Sequence, residues 1–153
     1  MLLILASSSP FRKAILDKLR LPFDVVAPNI DETRGRNESP YDLVKRLSKE
    51  KALEVSKNHT GLIVASDQVA TLDSGENVQD EILTKPGTHE RAFLQLKKSS
   101  GKTVNFLTGL ALMNTVTREI QLHVEYYKVK FKTLSDNQIL NYLSKEDVLN
   151  CAG

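Results

Sequence analysis

The sequence predicts an α/β fold, and three observations carry that prediction. Residues 2–6 form a short unbroken apolar run, the pattern of a strand buried on both faces. The run stops at Ser7, Ser8 and Ser9, and Pro10 follows, so a serine cap and a first-position proline open a helix. The same pair returns at Ser39 and Pro40 between two further strand-like stretches, which makes strands and helices alternate.

Each element follows in order. The first helix carries Ala14, Ile15, Leu16 and Leu19 at helical spacing up to about Arg20, and residues 23–27 read as a second strand. The polar loop NIDETRGRNES leads to the helix opened by Ser39, which ends near Lys57 and has Leu43, Val44, Leu47 and Val55 as its apolar face. Residues 62–72 form a strand, and DSGENVQDE is a turn-rich excursion before ILTKP. Thr88 opens a third helix whose apolar face is Ala92, Phe93 and Leu96. After the SSGK turn, residues 104–113 and 120–131 are two long strands joined by NTVTRE and expected to pair antiparallel. Ser135 and Gln138 make a capping box for a last helix bearing Ile139, Leu140 and Leu143, and VLNCAG closes the sequence in a turn-like run.

At 153 residues, with no internal repeat or linker, the chain has the length of one ordinary domain with a real core. Its 41% hydrophobic and 26% charged residues are the balance of a globular protein rather than a disordered one. The net charge of +2 is too small to suggest a nucleic acid polymer as partner, and KVKFK at 128–132 alternates like a half-exposed strand. Cys151 is the only cysteine, so an intramolecular disulfide is excluded and the cytoplasm is the expected compartment. The opening apolar run is too short for a signal peptide, and no later run approaches the ~20 residues that span a bilayer, so no membrane is expected.

Candidate chemistry gathers at strand ends. A strand that feeds a loop into a helix N-terminus offers unpaired N–H groups and a positive dipole end, which suit a phosphate. Serine hydroxyls and the planar fork of Arg12 could add to that cradle, although Ser9 as a plain cap is the competing reading. Lys51 falls near the centre of the apolar face of its helix, where it either snorkels to water or meets a buried anion. Asp67 interrupts LIVASDQVATL on the side shared by Ile63, Ala65, Val69 and Thr71. It is an edge-strand gatekeeper, a general base or a metal ligand. Asp31, Glu32 and Lys85 are further candidates in loops. His59, His89 and His123 have no metal-ligand spacing, and neither GxGxxG nor GxxxxGK[ST] occurs, which argues against a Rossmann cofactor site or a P-loop. Serines, cations and carboxylates around strand ends make the constellation of metal-assisted phosphate chemistry.

LASSSPFRKAIL resembles the opening signature of the Maf family of nucleoside triphosphate pyrophosphatases. The resemblance continues through IDE at 30–32, SKEKA at 48–52, SDQV at 66–69, TKP at 84–86, TGLAL at 108–112 and the terminal NCAG. It implies a mixed twisted sheet with flanking helices related to the inosine triphosphate pyrophosphatases, with a cleft beside the sheet, and commonly a homodimer. The implied reaction hydrolyses the bond between the α and β phosphates of a nucleoside triphosphate, with Mg²⁺ or Mn²⁺, to a nucleoside monophosphate and pyrophosphate. By matching position, Asp67 would activate water, Glu32 would help place the metal, and Ser7, Ser9, Arg12, Lys13, Lys51 and Lys85 would hold the triphosphate.

Phe11 stands where the dTTP/UTP-type enzymes often carry arginine, and SDQV replaces their DT pair. Both resemble the YceF-type branch, whose implied substrate is 7-methyl-GTP, with Phe11 and Gln68 as specificity residues. The implied role is removal of modified nucleotides from the precursor pool, with an associated effect on cell division. Two features depart from the family: the TLDSGENVQDEILTKP segment is long, with Thr84 at a usual glycine, and family members continue beyond CAG into a block resembling SFKSEG. Residues 1–153 are therefore expected to form a single Maf-like domain lacking that C-terminal segment. The competing reading is a catalytically silent nucleotide-binding or regulatory protein, and turnover separates the two.

Overall fold

The computed structural model describes residues 1–73, 81–146 and 148–149. The element order is β1 (Leu3–Ala6), α1 (Pro10–Asp17), β2 (Asp24–Val26), α2 (Pro40–Ser56), β3 (Leu62–Leu72), β4 (Glu81–Leu83), α3 (His89–Ser99), β5 (Thr103–Asn114), β6 (Ile120–Lys130) and α4 (Asp136–Leu143). The strands form one six-stranded sheet in the order β2-β1-β3-β5-β6, with β4 paired to β3. β1 lies parallel to β2 and to β3, in registers that set Ile4 against Asp24 and Ala6 against Ala65. β4 pairs antiparallel with β3 from Ala70 to Leu72, so the sheet is mixed, as the family resemblance implies.

The four helices among the described residues start where their caps predict. Ser9, Ser39, Thr88 and Ser135 each accept a hydrogen bond from the backbone N–H three residues on, and Gln138 completes the capping box at Ser135. α1 is shorter than its sequence pattern, ending at Asp17, and Phe11 and Ile15 on it, with Leu19 just past its end, are each more than half exposed. β4 is a strand that the sequence does not announce, since three residues carry no periodicity. The DSGENVQDE excursion and the terminal NCAG fall wholly or mostly outside the described residues, and Cys151 with them.

The backbone groups into two compact units, Met1–Gln68 with Thr108–Glu125, and Val69–Leu107 with Tyr126–Gly153. In the first, Ile4, Ala6, Ala52, Val55, Ile63, Ala65, Ala111 and Met113 form the core between α2 and the sheet. Gly109 permits that packing. A Cβ there would sit closer than any real Cβ contact to the Val44 carbonyl oxygen and Ser48 Oγ of α2. In the second, Ala70, Leu72, Leu83 and Val104 form one cluster, and Ala92, Ile139 and Leu143 another, against which Val148 and Leu149 pack. A cavity of about 350 Å³ opens beside that second cluster, lined by Ala92, Leu96, Phe131, Ile139 and Tyr142 among others.

Candidate active site

In the first unit β2, β1 and β3 lie side by side, and a candidate group lies just past the end of β1, in the loop after β2 and within β3 itself. Ser7 follows the last residue of β1 and is buried. Glu32 lies in the loop after β2, and Asp67 lies two residues beyond the Ala6–Ala65 pair of β1 and β3. The carboxyl ends of parallel strands are where open α/β sheets bind ligands, because loops diverge there and leave room. Asp67 keeps the buried side that alternation assigns to it, with Ile63, Ala65, Val69 and Thr71. β3 runs between β1 and β5, so the gatekeeper reading, which needs an edge strand, does not hold.

Lys51 does not snorkel. On α2 it shares the buried face with Leu43, Val44, Leu47, Ser48, Ala52 and Val55. Its ammonium meets two carboxylates at once: Asp67 Oδ1 at 2.7 Å and Glu32 Oε1 at 2.8 Å. The Asp67 carboxyl is pushed above its ordinary pKa of 3.8. Burial withdraws water from the carboxylate, and that outweighs the opposing attraction of Lys51 and Arg12, while the charge of Glu32 adds to the rise. A carboxylate held in this way binds a proton more readily than one in water, which is what a general base requires.

The loop carrying Glu32 is strapped to α2. Arg46 grips both carboxylate oxygens of Glu38, at 2.6 and 2.9 Å, and also donates to the Thr33 carbonyl at 3.0 Å and to Glu50 at 3.0 Å. On either side of Glu32, Asp31 accepts from the Thr33 N–H, and Glu38 accepts from the Gly35 N–H. The Arg46 fork and the Gly35 bond pull the Glu38 pKa from 4.5 to about 2. A folded-state value below the unfolded one stabilises the fold above pH 4.5, and this contribution fades as pH falls towards 2. Glu38→Gln should therefore lower the melting temperature at neutral pH and flatten its decline between those two values, as a thermal melt series against pH would show. An unchanged slope would dissociate the strap from stability.

The other candidates divide. Ser9 Oγ caps α1, and its own N–H donates to Ser7 Oγ at 3.1 Å, so the two serines lock the turn into the helix. Arg12 lies close enough for its charge to act on Asp67. Lys13 instead pairs with Asp17 at 3.0 Å, an exposed i,i+4 contact. Gln68 Nε2 donates to Thr108 Oγ1 at 2.7 Å, and the Phe11 ring is 54% exposed. Lys85 is an exposed residue of the second unit, beyond β4. Residue-by-residue reading overlooked Ser48. It is wholly buried, and its Oγ accepts the Asp67 N–H at 3.1 Å while donating to the Val44 carbonyl at 2.6 Å. A serine on an otherwise apolar helix face, three residues before Lys51, was the available signal.

Comparison with known proteins bears on this arrangement at two levels. A protein from Staphylococcus aureus described as Ham1 superposes with a TM-score of 0.56 at 11% identity, over 85% of this chain and 71% of that one. A nucleoside-triphosphatase / dITP/XTP pyrophosphatase from Mycobacterium abscessus does so with a TM-score of 0.50 at 18% identity, over 85% and 74%. These likenesses establish the fold. In sequence, the chain is 50% identical over 153 residues to a 7-methyl-GTP pyrophosphatase of Pseudoalteromonas atlantica, covering 76% of that protein. It is 48% identical over 152 residues to one of Alcanivorax borkumensis, covering 74%. Residues 2–153 match the family model described as Maf-like protein, a span that holds the strand ends, the serine turn and the Lys51 pair alike, and the chain belongs to the Maf family.

Proposed function

We propose that the protein is a nucleoside triphosphate pyrophosphatase of the cytoplasm that hydrolyses the α–β phosphate bond of 7-methyl-GTP. The observation that carries this reading is the convergence of Asp67, within β3, and Glu32, in the loop after β2, on Lys51 Nζ, in a chain nearly half identical to enzymes bearing that name. Water oxygen attacks the α phosphorus, its proton passes to the Asp67 carboxylate, and the bond from the α phosphorus to the bridging oxygen breaks to release pyrophosphate. Ser7, Ser9, Arg12 and Lys51 hold the phosphates, their donors and cations offsetting the negative charge that builds on the leaving group. Lys13 would have to exchange Asp17 for a phosphate to join them. The family model runs through both units, which supports reading residues 1–153 as one Maf-like domain. The homodimer expected from the family is part of the proposal and is checked by light scattering.

A divalent cation fits this donor set. Among the described residues no cluster of three or more His, Cys, Asp or Glu could hold a metal. Mg²⁺, however, commonly uses one or two carboxylates with substrate phosphate oxygens. Glu32, whose side chain is 60% exposed, is the carboxylate able to turn towards such an ion, and Asp67 is kept for the proton. When bound, Mg²⁺ or Mn²⁺ supplies charge neutralisation at the phosphates. To take such an ion Glu32 would exchange the Lys51 ammonium, which its Oε1 now meets at 2.8 Å, for the metal.

The test is product analysis with 7-methyl-GTP and Mg²⁺: equimolar pyrophosphate and 7-methyl-GMP are expected, and release of single phosphate or no turnover would overturn the reading. Binding without turnover would favour the silent nucleotide-binding protein instead. Phe11→Arg replaces a stackable apolar ring by a charged donor. The ratio of kcat/KM for 7-methyl-GTP over UTP should fall by roughly tenfold or more, and an unchanged ratio would remove Phe11 from specificity. Among the described residues no helix is long and apolar enough to cross a membrane.

A further inference from the structure

We propose that Ser48 is the positioning residue of Asp67, fixing the backbone from which the carboxylate projects. This rests on the reading of Asp67 as the base that activates water. Ser48 is wholly buried, and its hydroxyl proton is committed to the Val44 carbonyl at 2.6 Å, so towards Asp67 its oxygen can act only as an acceptor. The Asp67 N–H fills that place at 3.1 Å. β3 has β5 along one edge; along the other, pairing with β1 ends at Ala65 and pairing with β4 begins at Ala70, and Asp67 falls in the gap between them. A serine of the neighbouring helix thus does for this amide what a paired strand does for others.

Back-bonding of a helix serine to the carbonyl four residues earlier is ordinary, and that bond alone would give Ser48 a purely local role. The second bond reaches nineteen positions along the chain to the residue that does the chemistry. Gly109 makes it available, since only a residue without Cβ leaves Val44 and Ser48 this close to β5. Ser48 and Lys51 sit on one face of one helix, so α2 holds Asp67 at two points: its amide through Ser48, and its carboxylate through Lys51 at 2.7 Å. Without the hydroxyl, a buried N–H loses its acceptor and the strand shifts to recover one. A displacement of about 1 Å at a catalytic group can cost on the order of 10²-fold in rate.

The experiment is a double-mutant cycle on the full chain with 7-methyl-GTP and Mg²⁺. Ser48→Ala should lower kcat by roughly tenfold or more with KM within about twofold, because Ser48 acts on the base and not on binding. In an Asp67→Asn background the same change should alter the residual rate by less than about twofold, because the base is already gone. Hydrogen exchange at the Asp67 amide should quicken in both Ser48→Ala chains. Parental kcat in Ser48→Ala, with Asp67→Asn disabled, overturns this inference and leaves the base assignment standing. An undiminished Asp67→Asn overturns the base assignment and this inference with it. Equal fractional losses in the two backgrounds would mean general loosening and would also overturn it. Should Ser48→Ala fail to fold, Ser48→Cys, which keeps a weaker acceptor, carries the same comparison.

Discussion

Asp67→Asn should lower turnover of 7-methyl-GTP by roughly 10²-fold or more while the chain stays folded. Asparagine keeps the shape and can still accept from Lys51, which now lies 2.7 Å from Asp67 Oδ1, but it cannot take a proton from water. The raised pKa adds a second signature. A base must be unprotonated to act, so kcat/KM of the parent should fall on acidification with a midpoint above 3.8, the ordinary aspartate value, and that limb should be missing from the variant. The sign for stability is the reverse of the Glu38 case. A carboxyl whose pKa is raised in the folded state withdraws stability as pH climbs through its unfolded value towards its folded one, so the neutral amide removes a cost that the aspartate carries at pH 7. Pyrophosphate release across pH 4 to 9 with paired thermal melts tests both, and parental turnover in the variant would remove Asp67 from its role.

Gly109→Ala should destabilise the fold by about 3 kcal/mol or more, at the upper end of overpacking costs, because the new methyl meets a backbone carbonyl that cannot rotate away. For a chain of this size that amounts to a fall of roughly 6–12 °C in melting temperature. Pushing α2 off β5 also moves Ser48 and Lys51 together, so activity should fall at temperatures where the variant is still folded. Replacing Gly87, where a Cβ would meet open space but φ is +69°, should cost only the backbone strain of about 1 kcal/mol. Equal melting temperatures for Gly109→Ala and the parent would show that helix and sheet can separate without loss.

Much of this site is legible in the sequence because it breaks a period. Lys51 falls on an apolar helical face and Asp67 on an apolar strand face, and a charge at such a position announces a partner before the partner is known. The caps are legible too, since each is a short polar residue that satisfies an N–H three positions on. What escapes is whatever depends on two distant stretches meeting. Gly109 reads as a strand glycine until α2 is laid against it, and Ser48 reads as an indifferent polar residue until β3 brings the Asp67 amide to its oxygen. The three-residue β4 is a strand because β3 pairs with it, not because of its own residues. In and just past α1 the failure runs the other way. Ile15 and Leu19 have the spacing of a buried face and yet stand 64% and 60% exposed, because periodicity reports which residues share a side and not what covers it.

The division of the backbone has a consequence for how the protein is made. The first unit is assembled from Met1–Gln68 and Thr108–Glu125, with the whole of Val69–Leu107 synthesised in between. Every group that meets at Lys51 has therefore left the ribosome long before the strand that seats α2 through Gly109. At the usual ~5–20 residues per second, the nascent chain carries Asp67, Lys51 and the serine turn for seconds before β5 arrives to complete the sheet against which α2 is seated. Bringing β5 back to β3 then costs the closure entropy of the intervening loop before any packing repays it. Synthesis should thus pass through a stage with the site residues present and the first unit's sheet incomplete, and a nascent chain arrested before Thr108 should be cut by protease at α2 more readily than one arrested well past Glu125.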